Sequence, residues 1–223
     1  HIVLAVLAIV AVWLVPETSS RSGRIGFQRL SVPAEVRATF VLAATAAFAG
    51  FAVMGLFTAV APSFVSSVIG IDNHAVGGAV AASIFVASAA AQLAGRRLHP
   101  PRAVALGCAI LVAGMAILAV ALQLSSLPGL LVAAVVAGVG QGISFSRGLA
   151  AVVEGTATER RAEVSSTYFV VAYVAISLPV VSLGFAAQRW GLQEAGVSFA
   201  VIIAVLAAVC LAAVLWQERR RSA

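Results

Sequence analysis

The apolar residues of this chain run in long unbroken stretches, and the charged residues are confined to the breaks between them. No charge occurs from Ala38 to Ile71, Asn73 to Gly95, Ala103 to Ser146, Val164 to Gln188 or Ala195 to Gln217. A helix crosses the ~30 Å hydrocarbon core of a bilayer with about 20 residues. These stretches predict spans near 36–66, 75–95, 164–188 and 195–217. The 44 residues from Ala103 to Ser146 are twice what one helix needs, so this stretch turns once. Its one Pro/Gly/Ser cluster, Ser125-Ser126-Leu127-Pro128-Gly129, places the turn and gives helices near 103–124 and 129–150. Each span must be helical, because lipid offers no partner to an exposed backbone N–H or C=O. An earlier apolar run, His1 to Val15, is short of a full crossing and reads as the end of a truncated transmembrane helix over 1–15.

Composition turns this pattern into a fold class. The chain is 62% hydrophobic and 10% charged, with mean hydropathy +1.08. Soluble domains carry roughly 45–50% apolar and about 25% charged residues. The expected fold is an all-α integral membrane protein, a bundle of six transmembrane helices preceded by the end of another. Gly77, Gly78, Ala81, Ala82, Ser88 and Ala91 make the second span rich in small residues. Such residues let helices approach closely in lipid, where packing drives association.

Charge orients the bundle. All fourteen basic residues are arginine. They cluster at Arg21, Arg24, Arg29 and Arg37; at Arg96, Arg97 and Arg102; at Arg147, Arg160 and Arg161; and at Arg219, Arg220 and Arg221. Only Arg189 falls on the opposite side of the predicted topology. The alternate loops 70–74, 125–128 and 188–194 are short, and Asp72 and Glu194 sit in two of them. An excess of Lys/Arg marks the cytoplasmic side. The expected organisation is a cytoplasmic linker at 16–35, a six-helix domain at 36–217 and a basic cytoplasmic tail at 218–223. The linker has room for a short helix lying on the headgroups. Trp13 and Trp216 fall at inner ends and Trp190 at an outer end, where amphipathic rings prefer to sit. The expected location is the plasma membrane, multi-pass, with the C-terminus cytoplasmic and the lipid bilayer as a partner. A sequence pI near 11.0 suggests nucleic acid. The arginines lie in short loops without interleaved aromatics, so nucleic acid is rejected as a partner.

Few groups in the spans carry chemistry. The central segments hold no Asp, Glu, Lys or His, and His74 and His99 fall in loops. An intramembrane enzyme needs a nucleophile–base pair, a metal cluster or paired carboxylates, so no catalysis, metal or cofactor is expected. Cys108 and Cys210 read as buried small hydrophobes, without a second ligand at a useful spacing. Gly138 and Gly140 open a nucleotide-loop pattern, but Ile143 stands where its third glycine belongs and no strand precedes. Close helix packing explains them. Gln141, near mid-depth, forms either an interhelical hydrogen bond or part of a cavity wall. Ser144 and Phe145 share its face. Tyr173 and Ser177 lie one turn apart ahead of Pro179, which frees a carbonyl and kinks a helix. Arg147 either snorkels to the headgroups or pairs with Glu154 or Glu163 at an inner gate. Thr156-Ala157-Thr158-Glu159 fits a capping box.

Several local sequences carry a family resemblance. Val15-Pro16-Glu17-Thr18 looks like the Pro-Glu-Thr end of the sixth helix of major facilitator superfamily transporters. Leu93-Ala94-Gly95-Arg96-Arg97-Leu98, then Pro101-Arg102, is similar to that family's signature loop between its eighth and ninth helices, without the Asp-Arg core. Glu159-Arg160-Arg161-Ala162-Glu163, then Tyr173 to Pro179, resembles the tenth-to-eleventh connection of drug-efflux-type members. The resemblance implies the C-terminal six-helix half of a transporter, built of inverted three-helix repeats, whose missing partner is the N-terminal half. It implies secondary active export, as in an antiporter, of small hydrophobic or amphipathic molecules by alternating access. The cavity-lining helices would then carry Phe51, Ser88, Gln141, Phe145, Tyr173 and Ser177. Arg96, Arg97 and Arg147 become candidates for a cytoplasmic gate. Replacing Gln141 and Tyr173 with Ala in the full-length protein should weaken export. The alternative is a non-transporting scaffold or subunit of a larger membrane complex.

Overall fold

The computed structural model describes residues 2–15 and 30–222. The linker expected at 16–35 and its possible surface helix therefore lie largely outside the described residues. So do Glu17, Thr18, Arg21, Arg24 and Arg29. The described residues are helical almost throughout: α1 (Ile2–Leu14), α2 (Arg37–Ala59), α3 (Ala61–Ser67), α4 (His74–Ala94), α5 (Pro100–Gln123), α6 (Leu127–Glu154), α7 (Arg161–Trp190) and α8 (Leu192–Ser222). Six are long and apolar enough to cross a membrane: α2 and α4 to α8. α1 buries none of its residues.

The first span is shorter than the hydropathy suggests. One helix over 36–66 was expected, but α2 stops at Ala59 and α3 restarts at Ala61. Pro62 is the cause: it has no N–H for a helical bond to Thr58, and its ring crowds that carbonyl. The turn at 125–128 forms as expected. Ser125 adopts φ 48°, and the Ser126 hydroxyl accepts a hydrogen bond from Gly129 N at 3.2 Å. Asn73 caps α4 in the same way, accepting from Ala75 N at 2.9 Å. The loop expected at 188–194 shrinks to Gly191, whose φ of 85° suits only glycine. Arg189 and Trp190 close α7, and Glu194 lies in the first turn of α8. The tail expected from 218 continues α8 as helix to Ser222.

The capping box does not form. The Thr156 hydroxyl donates back to the Val152 carbonyl at 2.6 Å, and Arg161 Nε donates to the Thr156 carbonyl at 3.1 Å. α6 has already ended at Glu154, and back-bonding onto its last turn wins over capping the next helix.

The six spans repeat a burial order. In the most apolar stretch of each, the buried share is 72%, 33% and 50% for α2, α4 and α5, then 56%, 17% and 33% for α6, α7 and α8. The first helix of each triplet is central and the second is the most exposed. The second helices also pack crosswise: α4 lies chiefly on α6, and α7 chiefly on α2. Two triplets related by a pseudo-twofold account for both facts. The main core joins all of α2 to α8 through Phe57, Phe64, Ile84, Leu111, Met115, Leu130, Leu183 and Phe199, among others.

Candidate functional site

An aromatic cluster joins α2, α6 and α7. Phe145 of α6 stacks on Tyr168 of α7, with centroids 5.7 Å apart. It meets Phe51 of α2 edge-on at 4.9 Å and Phe169 of α7 at 6.0 Å. Phe40 adds an edge contact to Tyr168 at 6.1 Å. Tyr168 is the anchor. It is fully buried, and its hydroxyl donates to the Ala43 carbonyl at 3.2 Å and the Phe145 carbonyl at 3.4 Å. Gly148 makes room, since a Cβ there would lie 2.8 Å from the Tyr168 hydroxyl. Phe51 and Phe145 are half-buried, and Phe169 is exposed. The cluster thus runs from the core to an open face.

Tyr173 and Ser177 stand on that open face of α7. Tyr173 is 69% exposed, and the Ser177 hydroxyl donates to the Tyr173 carbonyl at 3.1 Å. Val170, Val174, Leu178 and Val181 are exposed with them. α7 runs uninterrupted through Pro179.

Ser88 and Gln141 are placed differently. They are 2% and 1% exposed, and the Ser88 hydroxyl donates to Gln141 Oε1 at 2.5 Å. Gln92 Nε2 donates in turn to Ser88 Oγ at 3.2 Å. The structure thus puts Ser88 and Gln141 inside the α4–α6 contact and not on an open wall. Of the two roles open to Gln141, the interhelical bond is the one seen. Backbone proximity explains it: a Cβ on Gly138 would lie 2.5 Å from the Ile84 carbonyl oxygen, and one on Gly142 would collide with that of Ser88. Helices this close leave a buried amide nowhere to go but across the seam.

The gate candidates separate. Arg96 and Arg97 are exposed in the turn after α4. Arg147 is half-buried and makes no ion pair with Glu154 or Glu163. Glu163 is held instead by Arg160, whose Nε lies 3.2 Å from its carboxylate. Of the two readings of Arg147, pairing with an acid is not seen, and Glu163 is taken by the nearer Arg160.

Two features escaped sequence reasoning. Tyr168 lies five residues before Tyr173 and looks no different in sequence; only its opposition to Gly148 on another helix marks it. Cys108 and Cys210 lie far apart in the chain, yet pack side by side where α5 meets α8, with Cys210 Sγ donating to the Leu42 carbonyl at 3.3 Å. Both are buried free thiols in an apolar cluster, as expected; their proximity escaped notice because spacing along the chain says nothing about distant helices. Among the described residues no three His, Cys, Asp or Glu side chains converge as a metal site.

The sequence profile of the Major Facilitator Superfamily matches residues 1–179 and also 42–223, which together span the whole chain. The chain belongs to the Major Facilitator Superfamily. It is thus a multi-pass membrane protein of a transporter superfamily, and its six apolar helices are the spans of that fold. No curated protein matches it. Within the superfamily fold, α7 is the helix least committed to this bundle, with 17% of its most apolar stretch buried.

Proposed function

We propose that this chain is the C-terminal half of a drug-efflux-type secondary transporter that exports small hydrophobic or amphipathic molecules. Phe51, Phe145, Phe169, Tyr173 and Ser177 form its share of the cavity wall. Ser88 and Gln141 stiffen that wall from behind. The observation that carries the reading is the open face of α7. It is apolar and 83% of its most apolar stretch is unburied, since 17% is buried, yet it displays a tyrosine and a serine hydroxyl beside the aromatic cluster. An apolar wall with a few polar groups suits an amphipathic guest. Arg96, Arg97 and Arg147 stand at the inner end, where a gate closes. The arginine asymmetry supports a cytoplasmic C-terminus in the plasma membrane.

Transport in vesicles by the full-length protein, both halves present, tests the wall. Tyr173→Ala should reduce export of a lipophilic dye at least severalfold while the protein stays folded; unchanged transport removes Tyr173 from the site. Orientation is tested by an impermeant thiol reagent. It should reach a cysteine placed at Asn73 from outside the cell and not one placed at His99.

A further inference from the structure

At the arginine-bearing end of the bundle a cavity of ≈ 470 Å³ opens between α4 and α6, lined by Ala89, Gln92, Leu93, Arg96, Ser146 and Arg147. Two of these side chains are cationic and none is acidic. Arg147 Nε is shielded from solvent and has no hydrogen-bond partner in the protein. Glu163 is committed to Arg160, and Glu154 lies two turns further along α6. An arginine whose Nε is shielded and unpaired, beside a second cation and with no acid in the lining, makes this cavity favour an anion.

Depth narrows the choice of anion. Arg147 lies seven residues before the end of α6 at Glu154, about 10 Å along the axis. A helix of 28 residues overhangs a ~30 Å hydrocarbon core by several ångströms at each end. The Arg147 backbone therefore lies about 4 Å inside the hydrocarbon boundary, from which its long side chain reaches toward the headgroup phosphates. The planar fork of an arginine matches phosphate oxygens two at a time.

We propose that this cavity binds a phosphate group, held between the guanidinium groups of Arg147 and Arg96 with the Gln92 amide beside them. The site stands on the cavity and its charges, independently of the transport reading. The Gln92–Ser88–Gln141 chain of hydrogen bonds connects it to the α4–α6 seam, so occupancy stiffens that contact. The phosphate comes either from an anionic lipid headgroup or from a soluble phosphate ester.

Two titrations of the delipidated protein in detergent distinguish these sources. Phosphatidylglycerol is followed by native mass spectrometry; inorganic phosphate and glycerol 3-phosphate are followed by thermal stabilisation. Binding in the first arm alone identifies a lipid headgroup, and binding in the second identifies a soluble phosphate. In whichever arm binds, Arg147→Gln and Arg96→Gln should each weaken affinity about tenfold or more. Arg102→Gln, at an exposed arginine outside the cavity, should leave it unchanged. Arg96 is exposed, so its variant carries the test if Arg147→Gln fails to fold. No binding in either arm, or equal binding by the Arg96 and Arg102 variants, overturns the proposal.

Discussion

α2 and α7 are nearly equal in mean hydropathy, 2.1 and 2.2, yet 72% of one stretch is buried and 17% of the other. Hydropathy reports transfer into lipid, and both helices satisfy it. It does not report whether lipid or protein covers the surface. What differs is side-chain size. α2 carries runs such as Ala43-Ala44 and Ala46-Ala47, with Gly50 and Gly55, and buries all six. α7 turns Phe169, Val170, Tyr173, Val174 and Leu178 outward and buries only Val164, Tyr168, Ala172, Ala175 and Leu183. In a medium as apolar as the protein, close backbone approach decides which helix is central.

The two tyrosines of α7 offer the hardest test of that contrast. Tyr168→Ala removes a fully buried ring and leaves two helices unpinned, and should cost about 3–5 kcal/mol. Tyr173→Ala, five residues on, should leave the thermal midpoint in detergent nearly unchanged. Similar losses from both would mean that the open face is not open. Glycines give the next largest effect. A Cβ at Gly55 of α2 would lie 2.8 Å from the Ile176 carbonyl oxygen, whereas one at Gly184 of α7 meets nothing within 4 Å. Gly55→Val should destabilise by about 1–3 kcal/mol, and Gly184→Val by less than about 0.5 kcal/mol. A seam between polar groups should respond less than the buried tyrosine or Gly55. Ser88→Ala leaves the Gln141 Oε1 without its donor, and should cost about 1 kcal/mol in the same thermal assay. No shift there would make the α4–α6 contact purely a matter of backbone fit.

Much of the fold was legible because its grammar is local. Charge-free length locates the spans, and Ser126 and Asn73 start helices with their own side chains. Pro62 was equally local but was overridden by a continuous apolar run. The site was less legible because its members meet across helices. Phe51 and Phe145 could be suspected from mid-depth position, but Tyr168 and Tyr173 differ only in which side of α7 they occupy. Gln141 was open to a seam or a wall. Its partner Ser88 sits 53 residues away, and nothing in the spacing reveals that the two helices touch backbone to backbone.

The tight contact between α5 and α6 has a consequence for how the chain is made. These spans are consecutive, joined by the three-residue turn 124–126, and mated through Gly107 and Gly140, each of which would place a Cβ within 2.8 Å of the other's carbonyl oxygen. They can zip together as soon as the second leaves the insertion machinery. α2 has no such luxury. Its pin, the Tyr168 hydroxyl on the Ala43 carbonyl, comes from 125 residues later. The most central helix of the finished bundle is therefore pinned only once α7, the fifth span, has been made.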